Sequence, residues 1–449
     1  MAEFSATLGS RSRGLALGAL LLIVACQSGG NTQGTSSTDI TQWVAWGGQE
    51  LKAYRDVLAP FEKDTGIKVH LTTNRESNTA IAAGIAAGTE LPDVAPGPSD
   101  PQQLKEWAGK NALKPMETIL EGKFNDYTSN TYTPLVNVTN GPNDNYVGIV
   151  NGKHYELIVK TQVKGLVWYN KKVFTGTAPK TFDEMLGINP SQYGAQKLFC
   201  AAFESGGDSG WPASDDLNNI VMRQAGETVY ANWIQGKQKW SSPEIKSAYQ
   251  SFLKMVSSST VYGGPNTVLA TAFQKGGDPL FKAAGSNKAG CLFYEQATFV
   301  TNFFTQDFPT LNLKAGTDYD YFGHPSMGNS QFDNNVNFFY DNVAVYNDKP
   351  AVRKLMQYLS TAQAQQIWAN DGGTLGAIKS LTYTDPLFKG AADIALKAKN
   401  LLITAGDYMP TDMKKAYWKS LLQVTKDPGS LDSQLAYLDQ VQKASYTTS

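Results

Sequence analysis

The 449-residue chain has only three cysteines and three histidines. His70, His154 and His324 stand far apart, and none has a second His or Cys at a metal-ligand spacing, so no zinc-hydrolase pattern is present and no metal or other cofactor is expected. No Gly-x-x-x-x-Gly-Lys-[Ser/Thr] segment occurs, so the chain has no phosphate cradle of that type and does not itself consume ATP. An excess of basic charge is missing too. Lys plus Arg number 39 against 40 Asp plus Glu, a formal charge of −1, which leaves nothing to neutralise a nucleic-acid backbone. Neither an internal repeat nor a coiled-coil heptad is visible. The mostly apolar run at residues 15–24 is too short to span a bilayer.

What is present is material for packed cores. Hydrophobic residues make up 41% of the chain, aromatics 11% and charged residues 18%, a balance that excludes a natively unfolded protein. At roughly 100 to 200 residues per domain the length allows two or three domains, and two lobes are expected. Low charge with many rings suits stacking platforms for a neutral, hydroxyl-rich or apolar ligand.

Arg11 and Arg13 followed by the short apolar run read as an export signal over residues 1–25. The run ends Ile23-Val24-Ala25-Cys26, which resembles the lipobox of bacterial lipoproteins. That resemblance implies cleavage before Cys26 and a diacylglyceryl group on its thiol, two acyl chains that anchor stably where one does not. An uncleaved helical anchor is the alternative. Residues 26–38 then form a Gly/Ser/Thr-rich tether with no apolar period. Cys200 and Cys291 remain; outside the cytosol an even pair is more naturally a disulfide, with two separately buried thiols as the alternative.

The mature chain opens with an alternating strand through Ile40 to Trp46, a turn at Gly47-Gly48-Gln49-Glu50, and a helix whose Leu51, Tyr54, Leu58 and Phe61 share a stripe. Pro60 is expected to kink or end that helix, and Gly66 to stop it. A strand over 67–71, a helix over 77–87 and a short strand at 93–95 continue the parallel α/β order, in which loops after strand C-termini bind ligands. Pro350 fits the first position of a later helix, and the next one, through Trp368, stops at Gly372-Gly373. Gly207-Asp208-Ser209-Gly210 looks like the nucleophile segment of chymotrypsin-like proteases, but no matching histidine segment precedes it and the α/β order contradicts a double β-barrel; it reads as a polar loop.

Taken together, the ordered segments resemble the extracellular solute-binding proteins of ABC transporters, in particular the carbohydrate-binding group related to maltose-binding protein. The resemblance rests on Trp46-Gly47-Gly48-Gln49-Glu50, Phe61-Glu62-Lys63-Asp64-Thr65-Gly66-Ile67-Lys68-Val69, Leu91-Pro92-Asp93-Val94 and Gly165-Leu166-Val167-Trp168-Tyr169-Asn170-Lys171-Lys172-Val173-Phe174 with the helix start after Pro179. Gly210-Trp211-Pro212-Ala213-Ser214-Asp215, Gln296-Ala297-Thr298-Phe299, the segment ending Asp371-Gly372-Gly373, and Asp407-Tyr408-Met409-Pro410 point within it to the α-glucoside binders. That subgroup likeness also supports pairing Cys200 with Cys291.

The resemblance implies an α/β, two-lobe periplasmic-binding-protein-like fold of type II, with a multi-strand hinge near residues 160, 293 and 342. It divides the mature chain into 39–160 and 293–342 for lobe 1, and 161–292 and 343–449 for lobe 2. The implied function is non-catalytic: a monomer, lipid-anchored outside the bacterial cytoplasmic membrane or in the periplasm, captures an α-linked di- or oligosaccharide and passes it to an ABC permease. Gly48, Gln49 and Glu50 are expected to contact hydroxyls, and Trp168 and Trp211 to stack or wall the ligand. Asp215, Glu295, Gln296 and Asp341 are the expected hydrogen-bond partners, Arg75 a bidentate clamp, and Gly372 and Gly373 a close-approach turn. An extracellular glycoside hydrolase, or a same-fold binder of a polyol or glycerophosphodiester, are the alternatives.

Overall fold

Alternation of buried and accessible residues makes β1 (Ile40–Val44), which pairs in parallel with β2 (Val69–Thr73) on one side and β3 (Val94–Ala95) on the other. The computed structural model describes residues 39–98, 100–131, 148–286, 288–371 and 373–446; the expected signal, Cys26 and tether lie outside them. Between β1 and β2 the helix Gly48–Thr65 buries Ala53, Tyr54, Val57, Leu58 and Phe61 and ends at Gly66, whose φ of 70° is the left-handed stop. It runs through Pro60 instead of ending there. Proline costs about 3 kcal/mol inside a helix. Burial of the stripe on both sides of it, at Val57, Leu58 and Phe61, outweighs that cost. The helix Ser77–Ala87 connects β2 to β3.

A hairpin of β4 (Ile149–Val150) and β5 (Lys153–His154) leads into β6 (Leu157–Val163), which is buried along its whole length. β7 (Leu166–Asn170), β8 (Lys197–Cys200), β9 (Cys291–Gln296) and β10 (Tyr319–Gly323) form a four-stranded sheet in the order β10-β7-β9-β8. β11 (Asn335–Val345) is long enough to change partners. It pairs with β12 (Asn400–Ile403) at its start, with β6 antiparallel in the middle, and with β3 at its end. β6 and β11 thus cross between the lobes as a pair. A third crossing follows Gly373, where Thr161 of β6 and Leu375 exchange backbone hydrogen bonds of 2.7 and 3.1 Å.

Each lobe has its own core. Ile40, Tyr54, Phe61, Val343, Leu355 and Trp368 belong to the first. Trp168, Phe293, Phe304, Phe338, Leu401 and Tyr417 belong to the second. This corrects the expected segmentation. Phe293 lies in the middle of β9, held between β7 and β8, and a strand bonded on both sides within one lobe cannot serve as a hinge. Residues 293–338 pack with the second lobe and Val343 to Trp368 with the first; Leu375 and Ala377 touch the second core, Ile378 to Thr382 return to the first lobe at Thr131, Ala369 and Gln366, and Leu387 onwards packs with the second. The third crossing is therefore the stretch between Gly373 and Leu387, which touches both lobes. Cys200 of the edge strand β8 and Cys291 of its neighbour β9 are disulfide-bonded, with Cα atoms 5.5 Å apart and a sequence separation of 91. Closing a loop of that length contributes about 4 to 5 kcal/mol in the chain-entropy picture.

Candidate functional site

Strand periodicity selects the floor of the interlobe cleft. Lys160 and Gln162 of β6 and Lys164 just after it, every second residue, line it together with Phe339 and Asp341 of β11. Lys160 and Asp341 are partners in register. The Lys160 Nζ lies 3.2 Å from Asp341 Oδ2 and 2.7 Å from Glu50 Oε1, and 5.3 and 5.4 Å from the ring centroids of Trp46 and Trp368. Burial pulls the ammonium's pKa down, but Asp341 and Glu50 outweigh it and hold it above the ordinary lysine value. A register shift at Asp341 and Asn342 places a β-bulge in this crossing pair, the kind of irregularity that re-aims side chains beside a site.

From the second lobe the helix Trp211–Gln224 points its first turns at the cleft. It starts at Gly210, whose φ is 101° and where the backbone of Trp418 leaves no room for a side chain, so glycine is required there. Trp211, Ser214 and Asp215 line the cleft. The Lys164 Nζ sits 2.5 Å from Asp215 Oδ2 and 4.8 Å from the Trp211 ring centroid. Burial raises the Asp215 carboxyl and Lys164 only partly offsets it. Trp211 packs edge-on to Phe273 at 5.0 Å, and Phe299 and Phe303 extend this aromatic wall.

The cleft has two chambers divided by Trp46, Phe339, Asp341 and Trp418, which border both. The aromatic chamber, about 470 Å³, carries Trp211, Phe273, Phe299 and Phe303 on one side and Gly48, Gln49 and Glu50 on the other. The second, about 690 Å³, is polar: Glu76, Asn78, Thr79, Gln103 and Asn342 face Asp208, Thr411, Lys414 and Lys415. Arg75 and Asp407 reach both. Burial pushes the Asp407 carboxyl up to about 6, against the pull of Lys414 and Lys164.

Of the residues expected from sequence, Gly48, Gln49, Glu50, Arg75, Trp211, Asp215 and Asp341 come together in this cleft. Trp168 does not. It is fully buried, packs against Tyr321 and Phe304, and donates its indole N–H to the Gln296 carbonyl at 2.9 Å, because its place on β7 points it into the second core. Gln296 and Glu295 of β9 are also interior. The Gln296 side-chain oxygen accepts from the Ala297 N–H. Glu295 lies beneath the cleft with His324 Nε2 at 3.7 Å, and burial raises its carboxyl to about 8 against the pull of Arg223. Burial and Arg223 together hold His324 down to about 3, so this pair is uncharged at neutral pH. Gly373 stands one layer back: its carbonyl accepts from Gln162 Nε2 at 3.3 Å and it packs against Asn302, both of which line the cleft. Gly372 lies outside the described residues.

Sequence reasoning passed over Lys160, Gln162, Lys164, Phe273 and Asn302, and named Asp407 only within a family-like segment and not as a site residue. The alternating polar positions 160, 162 and 164 within an apolar strand were a usable signal. Phe273 and Asn302 carried none, since only folding brings them to the wall. Among the described residues no group of three or more His, Cys, Asp and Glu side chains is placed to hold a metal ion.

Comparison with known proteins bears on the fold and the family. The alpha-glucosides-binding periplasmic protein AglE of Rhizobium meliloti is 25% identical over 404 residues, covering 88% of this chain and 84% of that protein. The osmoprotective compounds-binding protein GgtB of Synechocystis sp. is 24% identical, covering 87% and 89%. Among solved structures, a chitin oligosaccharide binding protein superposes with a TM-score of 0.73 at 18% identity, over 91% of this chain and 98% of that one. The maltose/maltodextrin-binding domain MalE of Bdellovibrio bacteriovorus gives 0.64 at 16%, over 90% and 99%. These structures share the two-lobed fold. The family model for bacterial extracellular solute-binding proteins matches residues 56–398, and with three-quarters of its length so matched the chain belongs to that family, whose members bind their ligands without transforming them.

Proposed function

We propose that the protein captures an α-glucoside, a di- or oligosaccharide, outside the cytoplasmic membrane and hands it to the permease of an ABC transport system. Cys26 carries the lipid anchor in this reading, and the protein works as a monomer. The observation that carries the sugar assignment is the aromatic chamber, where Trp211, Phe273, Phe299 and Phe303 stand across from Gln49, Glu50 and Asp341. Rings cover the apolar face of a pyranose, and short polar side chains take its hydroxyls. The name of AglE supports an α-glucoside.

Charge in the cleft supports a neutral ligand over a glycerophosphodiester. Lys160 is matched by Glu50 and Asp341, and Lys164 by Asp215, so neither buried ammonium is free to neutralise a phosphate. Asp208 and Asp407 add further negative charge beside Arg75. In the aromatic chamber an anionic solute therefore meets lysines already matched by carboxylates.

Calorimetric titration of the mature protein with maltose, trehalose, sucrose and longer α-glucans is the test. Binding heat with at least one of them is expected, with a thermal shift, since ligand at 100 times its dissociation constant adds about 2.7 kcal/mol of stability. No heat and no shift with any sugar would discard the carbohydrate reading. Release of product, followed by chromatography, would return the hydrolase alternative.

A further inference from the structure

We propose that the hydrogen bond from Thr411 Oγ1 to Asp100 Oδ2, at 2.7 Å, is a latch between the lobes that positions them in the closed state and sets how long a solute is held. Asp100 belongs to the first lobe. It caps the helix Pro101–Gly109, its Oδ1 accepting from the Gln103 N–H at 2.9 Å, and Leu104 and Trp107 of that helix pack with Ala95 and Ala344. Thr411 belongs to the second lobe, as the first residue of the helix Thr411–Lys426, whose Met413 and Tyr417 lie in the second core. Two helix N-termini from opposite lobes thus meet at one carboxylate, and both favour its negative charge.

The contact sits where the lobes approach one another. Asp100 is only 6% exposed, and both residues border the polar chamber, away from Trp211 and the phenylalanine wall. A second approach lies nearby, where a side chain at Gly207 of the second lobe would meet Glu76 Oε1 of the first at 3.5 Å. Because Asp100 and Thr411 are fixed to different cores, opening the cleft breaks their bond while each helix stays folded. A contact present only in the closed state raises the closed population, and with it the apparent affinity for any solute. The inference rests on solute capture by lobe closure and is independent of which sugar is bound.

Thr411→Val keeps the side chain's shape and removes the hydroxyl donor; Thr411→Ser keeps the donor. The mature protein and both variants are compared by small-angle scattering without ligand, and by stopped-flow release of a sugar that titrates. The valine variant is expected to shift the ligand-free distribution towards open forms and to speed release about tenfold, while the serine variant behaves as the unmodified protein does. A double variant with Asp100→Asn, in which the helix cap survives, should release no faster than Thr411→Val alone. An unchanged ligand-free distribution and unchanged release in Thr411→Val would overturn the latch. If no sugar binds, scattering of the free protein decides the latch by itself, and the titration alone decides the sugar.

Discussion

The two chambers of the cleft share a dividing wall, with Arg75 and Asp407 reaching both, and differ in the rest of their lining. The aromatic chamber is built on a buried ion pair and a polar interior: Lys164 with Asp215 at its floor, and Asp216, Glu295, Arg223 and His324 behind. The polar chamber is edged by short side chains such as Thr79 and Gln103 and by surface lysines. Ring area and buried charge give the first chamber many interactions that cannot be exchanged for water at low cost. In the second, most groups have water as a ready substitute. Affinity and stability should therefore concentrate on the aromatic side, and reach on the polar side.

Removing the floor cation should have the largest effect. Lys164→Met leaves the Asp215 carboxylate buried without its partner, and unfolding by urea at pH 7 is expected to show a loss of about 3 kcal/mol. Asp215→Asn in the same chain should recover much of it; a single variant as stable as the parent would break the contrast at its base. Next comes the ring. Trp211→Ala should cost about 2 kcal/mol of sugar binding by calorimetry, with the circular dichroism spectrum unchanged. Unchanged affinity would remove Trp211 from the site.

The interior beneath the aromatic chamber makes a pH-dependent prediction. The Glu295 carboxyl, raised to about 8, keeps its proton in the folded chain where the unfolded chain has lost it. Its contribution is complete below the ordinary carboxylate value and is lost as pH rises through about 8. Glu295→Gln cannot ionise, so its melting temperature should exceed the parent's at pH 9 and converge with it near pH 5. His324, held down to about 3, acts in the opposite sense: its contribution is complete above 6.5 and is lost as pH falls towards 3. The smallest effect is expected in the polar chamber, where Thr79→Val should change sugar affinity by less than about 1 kcal/mol. A larger loss there than at Trp211 would reverse the comparison.

Local patterns explain what could be read early. Gly66 stops its helix because only glycine takes the left-handed position freely, and the helix starting at Pro350 begins where a missing N–H costs nothing. The place of Gly48 to Glu50 on the cleft was legible because the turn follows the C-terminal end of a parallel strand. Trp168, Glu295 and Gln296 were misplaced for one reason. Trp168 and Glu295 project from opposite faces of their sheet, yet both are buried, as is every residue of β9, and that coverage of both faces is fixed by tertiary packing and not by the strand's own sequence. Pro60 shows the converse, a local rule overridden by packing.

By itself the sequence determined the neutral, aromatic-rich composition, the α/β order and the export-like start, since these follow from residue counts and from periods within one segment. Tertiary structure alone decided which lobe each later segment joins, that the third crossing lies between Gly373 and Leu387 and not at 293, and that Phe273, Asn302 and Lys164 meet around one chamber. The reason is distance along the chain. A cleft assembled by β6, β11 and helices hundreds of residues apart is specified by long-range pairing, and long-range pairing leaves no mark on any single stretch of sequence.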